Sequence, residues 1–336
     1  MSSLPAVNRQ ILYAKRPEGM PTLDCFKLES GPIPTIKTGE VLIRNHYLSV
    51  DPYIRMRMEA KDSYAPVMQI GEKMVGRTIG QVVQSLDNSL QVGDWVVGRM
   101  SWEDVSAAPV KELQKIDPSF KPLSAFLGAL GSTGLTAWVG LMAFGKPVAG
   151  ETVLVSVASG AVGSVVGQLA KLRGCRAVGI AGGARKCEIV VKELGFDACI
   201  DYKSPEFEKN LAQAVPGGVD VYFDNVGGPI TDYVLTLLNL RARVALCGTV
   251  SQYNATELYV IKNYREFFNK RVSLHGFVLS DHRDLWPEAT REIQEAYSAG
   301  KLKHLETVAE GLENAPQAFI DMLNGANVGK QIVRIV

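Results

Sequence analysis

Residues 151–174 read ETVLVSVASGAVGSVVGQLAKLRG and constrain the fold more than any other stretch. A short apolar run, 152–157, predicts a buried strand. The small residues Ala158-Ser159-Gly160-Ala161-Val162-Gly163 predict a tight turn, and residues 162–173 a helix. A strand that feeds a glycine turn opening a helix can hold a pyrophosphate against backbone N–H groups and the helix dipole. The turn departs from G-x-G-x-x-G at its first position, where Ala158 stands. Gly160 would let the backbone approach phosphates, and Gly163 would let the helix pack closely on the strand. The same glycines would serve a packing turn in another α/β fold, so the motif alone does not decide.

The next strand, 176–181, ends where an NAD site carries Asp or Glu for the ribose hydroxyls. Here the chain continues Gly182-Gly183-Ala184-Arg185-Lys186. No acid is present, two glycines leave room, and two cations follow. A 2′-phosphate is attracted by such cations and repelled by a carboxylate, which favours NADP(H) over NAD(H). The alternative is that Arg185 and Lys186 are only the solvated start of a helix.

The rest of the second half alternates strand and helix. Strands are predicted at 198–201, 219–225, 242–247 and 272–279, with helices at 186–195, 207–214, 231–238 and 285–299. This pattern predicts a doubly wound parallel sheet with its ligand beyond the strands' carboxyl ends. Residues 8–100 instead show short glycine-punctuated strands, as in a small β-barrel. A glycine-rich helical segment is expected over 126–144, and a domain boundary near Leu127. The strand at 331–336 has no helix after it and is expected to return to the first domain.

Composition narrows the function. The 336 residues carry a net charge of +1, with no basic block suited to nucleic acid and no apolar run long enough to span a bilayer. The first residues lack the apolar core of a secretory signal. The five cysteines, Cys25, Cys175, Cys187, Cys199 and Cys247, are scattered and odd in number, which suits reduced thiols in a cytoplasm. No C-x-x-C pair occurs and the four histidines show no ligand spacing, so no metal site is expected.

Taken together, five motifs carry a resemblance. They are Ser49-Val50-Asp51-Pro52-Tyr53-Ile54-Arg55, Gly131-Ser132-Thr133-Gly134-Leu135-Thr136-Ala137-Trp138, the 158–164 turn, Phe223-Asp224-Asn225-Val226-Gly227-Gly228, and Gly325-Ala326-Asn327-Val328-Gly329-Lys330. The chain resembles the zinc-independent medium-chain dehydrogenase/reductases, in the branch of prostaglandin reductases (leukotriene B4 12-hydroxydehydrogenases), plant double-bond reductases and curcumin reductases. The resemblance implies an α/β fold: a GroES-like β-barrel substrate domain from 1–127 and 305–336, and a Rossmann NADP-binding domain from 128–304. It implies NADPH, no metal, and a homodimer. The reaction implied is reduction of the C=C bond of an α,β-unsaturated ketone or aldehyde, with hydride going to the β carbon. A quinone reductase of the same superfamily and a non-catalytic NADPH-binding protein are the alternatives.

The resemblance also implies site residues. Ala161, Val162, Gly163 and Ser164 would lie on the pyrophosphate with Gly160. Lys186 and Tyr202, beside Gly183, would hold the 2′-phosphate. Asn225, Cys247, Gly248 and Tyr253 would border the ribose, diphosphate and adenosine. Thr136, Phe277, Val278, Leu279 and Asn327 would meet the nicotinamide half. Tyr53 is the candidate substrate contact, while Arg55 and Arg57 are read as salt-bridging residues. Several eukaryotic members place a tyrosine where this chain has Asn269, so no proton donor is named. A donor for the developing enolate and an apolar cleft between the domains are what the chemistry requires. Pocket size would depend on residues 58–68 and 252–268.

Overall fold

The computed structural model describes residues 4–60 and 64–336. Residues 61–63, within the first of those two pocket segments, lie outside the described residues. The chain divides into two compact units, Met1–Leu127 with Glu306–Val336, and Gly128–Leu305.

The second unit is built on six parallel strands: β1 (Thr152–Ser156), β2 (Arg176–Ala181), β3 (Ala198–Asp201), β4 (Val219–Asp224), β5 (Leu238–Leu246) and β6 (Ser273–Gly276). Their order across the sheet is β3-β2-β1-β4-β5-β6. This is the Rossmann order, in which the direction of winding reverses beside β1 and leaves a crevice at the carboxyl ends. The inner strands are buried almost throughout, as residues covered on both faces must be.

Helix α1 (Gly163–Leu172) follows β1 and buries most of its length. Gly167 faces the Phe196 ring so closely that a Cβ there would overlap it. Burying Phe196 in that seat contributes about 2–3 kcal/mol. The helix ends at Gly174, whose φ of +77° suits a left-handed cap, and the Cys175 N–H returns to the Ala170 carbonyl at 3.0 Å.

The glycine-rich 126–144 segment is not one helix. It forms a 3₁₀ turn (Leu123–Leu127), an α-helix (Ser132–Val139) and a π turn (Gly140–Gly145). Gly134 lies against the Ala129 carbonyl and Gly140 against the Phe223 and Phe277 rings, so the glycines serve close approach rather than helical continuity.

In the first unit Glu40–Ser49 is the central strand of a seven-stranded, mostly antiparallel sheet. It pairs along one edge with Val75–Ser85. Its other edge pairs with Val105–Pro109 through residue 44, then with Lys330–Arg334 from residue 47. Register shifts at Leu42/Ile43 and Asn45/Tyr47 accompany this exchange of partners, and such bulges bend a strand and increase its twist. The final strand, Lys330–Arg334, also pairs in parallel with Glu306–Glu310, a strand beyond those predicted from the sequence. Trp102 stacks on Phe26 and meets Phe319 edge-on, each at about 6 Å, at the centre of this unit's core.

Candidate functional site

The turn after β1 shows why alanine is tolerated at its first position. Ala158 is fully buried and its methyl lies over Gly179 of β2; a Cβ on Gly179 would stand 2.7 Å from it. The missing glycine of the fingerprint is thus offset by a glycine on the neighbouring strand. Gly160 and Gly163 both approach Val157, Gly163 against its carbonyl oxygen, so neither accepts a side chain without movement.

Val157 itself has φ +52°. A β-branched residue in that region costs on the order of 1–3 kcal/mol, a strain found mainly at ligand turns. Two bonds of 2.9 Å hold it, Gly160 N–H to the Val157 carbonyl and Ala158 N–H to the Ile180 carbonyl. Ser164 N–H bonds back to Gly160, and α1 begins directly after Ala161 and Val162, with its first N–H groups at this end of the sheet.

At the next strand end, Gly183 (φ +99°) caps the helix Ala184–Lys192. The Asp201 carboxylate accepts from Gly183 N–H at 2.7 Å and from Lys203 N–H at 2.9 Å, tying the loops after β2 and β3 together. A Cβ on Gly182 would stand 2.9 Å from the Tyr202 ring and 3.2 Å from the Lys203 side chain. Lys186 has its pKa lowered, first by burial and then by the Lys203 charge. The structure therefore gathers Gly182, Gly183, Lys186, Tyr202 and Lys203. Asp201 stands at a strand end where the sequence already predicts a ligand, whereas Lys203 is not among the sequence-predicted residues; its signal is the Asp-Tyr-Lys run that closes β3.

The loops after β4 and β5 meet at Asp224. This buried carboxylate accepts from Thr231 Oγ1 (2.7 Å), Val226 N–H (2.9 Å), Gly227 N–H (3.0 Å), Tyr222 OH (3.0 Å) and Ser156 Oγ (3.3 Å). Its carbonyl accepts from Cys247 and Gly248. Asn225 is pinned to the end of β1, its N–H on Ser156 Oγ and its Nδ2 on the Ser156 carbonyl, both at 2.8 Å. That leaves its side-chain oxygen as the acceptor for a ligand. Burial, then Asp224, push the Cys247 thiol up to about 12, so it remains protonated at neutral pH. The Tyr253 hydroxyl would stand 3.1 Å from a Cβ on Gly248, and burial raises its pKa.

The nicotinamide-side candidates are less alike. Thr136 donates to the Ser132 carbonyl at 2.8 Å within its own helix and keeps its lone pairs available. The Phe277 ring packs on Phe144 and Phe223, at 5.2 and 6.3 Å, so its side chain belongs to an aromatic cluster and its backbone is what remains for a ligand. Val278 and Leu279 follow it out of the sheet, and the Leu279 carbonyl accepts from Trp286 Nε1. Asn269 is exposed and bonds Glu266 at the amino-terminal approach to β6, away from the carboxyl ends.

Asn327 and Tyr53 belong to the first unit. Asn327 Nδ2 bonds the Gly329 carbonyl at 2.8 Å, fixing the 325–330 turn. The Asp51-Pro52-Tyr53 turn is anchored by Lys330, which is 2% exposed and reaches Asp51 Oδ1 at 2.9 Å and the Val50 carbonyl at 2.7 Å. The expected salt bridges are half present. Arg55 pairs with Glu59 at 3.3 Å. Arg57 has no ion pair among the described residues; its Nε donates to the Pro66 carbonyl at 2.8 Å. The loop backbone takes this guanidinium in place of a carboxylate. Among the described residues no group of three or more His, Cys, Asp or Glu could hold a metal ion, and no helix is long and apolar enough to cross a membrane.

A Rossmann sheet with a glycine turn at β1 and paired lysines beyond β2 and β3, joined to an antiparallel β unit, defines a two-unit nicotinamide-dinucleotide oxidoreductase. Comparison with known proteins agrees. Residues 9–116 match the family described as the N-terminal domain of oxidoreductase, and residues 161–295 match that described as zinc-binding dehydrogenase. The chain is 43% identical to the NADPH-dependent curcumin reductase of Escherichia coli, covering 98% of this chain and 97% of that protein. It is 37% identical to the NADP-dependent 2-alkenal reductase of Nicotiana tabacum, covering 98% and 97%. The crystal structure of CurA from Vibrio vulnificus in complex with NADPH superposes with a TM-score of 0.93 at 42% identity, covering 98% of this chain and 99% of that one. The chain belongs to the medium-chain dehydrogenase/reductase family, among its NADP-dependent reductases.

Proposed function

We propose that this protein is an NADPH-dependent reductase of the C=C bond in α,β-unsaturated ketones and aldehydes. The observation that carries the reading is full-length likeness to a curcumin reductase and a 2-alkenal reductase, joined to a lysine pair of 2′-phosphate type at β2 and β3. NADPH supplies the hydride when bound. The turn residues Gly160, Ala161, Val162, Gly163 and Ser164 would carry its pyrophosphate. Lys186, Tyr202 and Lys203 beside Gly183 would hold the 2′-phosphate. Asn225, Cys247, Gly248 and Tyr253 would border the remaining adenosine and diphosphate groups. Thr136, Asn327 and the backbone of Phe277, Val278 and Leu279 are assigned to the nicotinamide half.

The glycine turn fits a phosphate cradle, because a side chain at Gly160 would meet Val157 at 2.8 Å. Tyr53 is assigned to the substrate carbonyl. Its hydroxyl is kept protonated, since burial raises its pKa most and Asp51 adds to the rise, against the lowering by Arg99, Arg57 and Arg77. A neutral phenol is the form that donates to a developing enolate. The reaction needs no zinc in this reading. The test is NADPH oxidation with methyl vinyl ketone and 2-hexenal, with the products identified. Saturated carbonyl products are expected; NADPH oxidation with quinones alone would overturn the reading.

The reading includes a cytoplasmic homodimer. The five free cysteines suit a reducing compartment. The edge strand β6 is exposed at all four residues and, among the described residues, pairs with β5 alone. Phe268 is 84% exposed beside it, with Leu258, Val260, Tyr264 and Leu274 also exposed. An unpaired edge flanked by apolar side chains is a template for a second copy. Sedimentation is expected to give a dimer for the native chain and a monomer for Phe268→Asp. A native chain sedimenting at 36.5 kDa would overturn this part.

A further inference from the structure

We propose that Arg57, Arg77 and Arg99 form an anion subsite beside Tyr53 that takes a carboxylate on the substrate. The inference rests on enone reduction with Tyr53 at the substrate. Arg77 and Arg99 are direct register partners on the antiparallel strands Val75–Ser85 and Trp95–Ser101. Directly opposed side chains share a face, and like charges there repel. Arg57 rises from the helix Tyr53–Arg57 and is 7% exposed, with Nη1 buried and lacking a hydrogen-bond partner among the described residues. The Arg77 Nε is likewise buried without a partner.

The three guanidiniums and the Tyr53 hydroxyl lie within electrostatic reach of one another. Arg57, Arg77 and Arg99 each act on Tyr53, and Arg99 acts on Arg57. Among the described residues two carboxylates are near. Asp51 is taken by Lys330 at 2.9 Å and by Ser49, and Glu72 accepts the Gln69 N–H at 2.8 Å. Three cations are thus held together, and two of their donors, Arg57 Nη1 and Arg77 Nε, have no partner among the described residues and are costly to leave buried. A planar carboxylate matches guanidinium forks bidentately, satisfies those donors and relieves the repulsion. The subsite lies beside the residue assigned to the reacting carbonyl, so it would select substrates bearing an acid as well as an enone.

The test compares 6-oxooct-7-enoic acid with its methyl ester on the NADPH-saturated enzyme. The native enzyme is expected to prefer the acid about tenfold to a hundredfold in kcat/KM, through KM, as charge-assisted hydrogen bonds allow. Arg99→Gln, at an exposed position, is expected to bring the acid/ester ratio close to one, and Arg99→Lys to keep part of the preference. A native ratio near one, a ratio unchanged in Arg99→Gln, or a loss confined to NADPH affinity would overturn the subsite. The last result would assign the arginines to a cofactor phosphate.

Calorimetry with the saturated 6-oxooctanoic acid and its ester reads the subsite without turnover. Tight acid binding lost in Arg99→Gln, with no reduction of either enone, would sustain the subsite and overturn the enone reading. Reduction of both enones with equal binding of both products would do the reverse.

Discussion

Replacing Asp224 with alanine lowers the stability of the Rossmann unit by about 3–5 kcal/mol, because it leaves several buried donors without an acceptor at roughly 1–3 kcal/mol each. Five donors converge on this carboxylate, two of them backbone N–H groups of the turn that follows β4. Tyr222 is fully buried, and its hydroxyl loses the stronger of its contacts, keeping Thr231 at 3.1 Å, once the carboxylate is gone. For a unit of this size the loss corresponds to a fall in melting temperature of roughly 6–20 °C. Asp224→Asn keeps the shape but replaces one acceptor oxygen with a donor that faces other donors, so it is also destabilising. NADPH binding should weaken in the same variants, because Asn225, Cys247 and Gly248 are placed through Asp224 and Ser156. Calorimetric melting with and without NADPH measures both effects. A melting temperature unchanged in Asp224→Ala would refute the assigned role.

Lys186→Ala is expected to weaken NADPH binding by about 2 kcal/mol, since a hydrogen bond to a charged group contributes roughly 1.5–3 kcal/mol. NADH binding should be almost untouched, because NADH carries no 2′-phosphate. Lys203→Ala should show a smaller loss of the same selectivity. Fluorescence titration with both cofactors is the measurement, and equal losses for the two would refute the assignment.

The pH dependence follows from the same pair. Burial and Lys203 hold the Lys186 pKa below its ordinary 10.5. The preference for NADPH over NADH should therefore be full near neutral pH, where Lys186 is charged and the phosphate is dianionic. It should fall as the pH drops through about 6, where the phosphate gains a proton. It should also fall as the pH rises through the lowered Lys186 pKa. A bound phosphate favours the charged lysine, so NADPH binding on that alkaline limb should take up protons. Lys186→Ala should lose the alkaline limb and keep the acid one.

Much of the second unit was legible in the sequence. The strands 176–181 and 198–201 and the helix 207–214 were placed to the residue, because alternation and flanking glycines mark them without tertiary help. The strand Leu238–Leu246 begins four residues before its predicted start, since pairing of Leu238 with Val219 of β4 extends it beyond its apolar run. The strand Glu306–Glu310 went unseen because its signal lies in parallel pairing with Lys330–Arg334, more than twenty residues later in the chain. The helix expected over 126–144 fails for a related reason. Its glycines answer to Ala129, Phe223 and Phe277, contacts that no local pattern contains.

The sequence by itself determined the kind of cofactor. A strand, a turn of small residues and a helix must come in that order to present N–H groups to a phosphate, and a missing acid followed by Lys186 is a local fact about charge. Only the tertiary structure decided how the fingerprint survives Ala158. The space for its methyl is supplied by Gly179 on another strand. Only the tertiary structure brought Lys203 to Lys186, hung three loop ends on Asp224, and set Arg77 opposite Arg99. Those pairings depend on strand order and register, which local periodicity cannot encode because each residue's neighbours come from segments far along the chain.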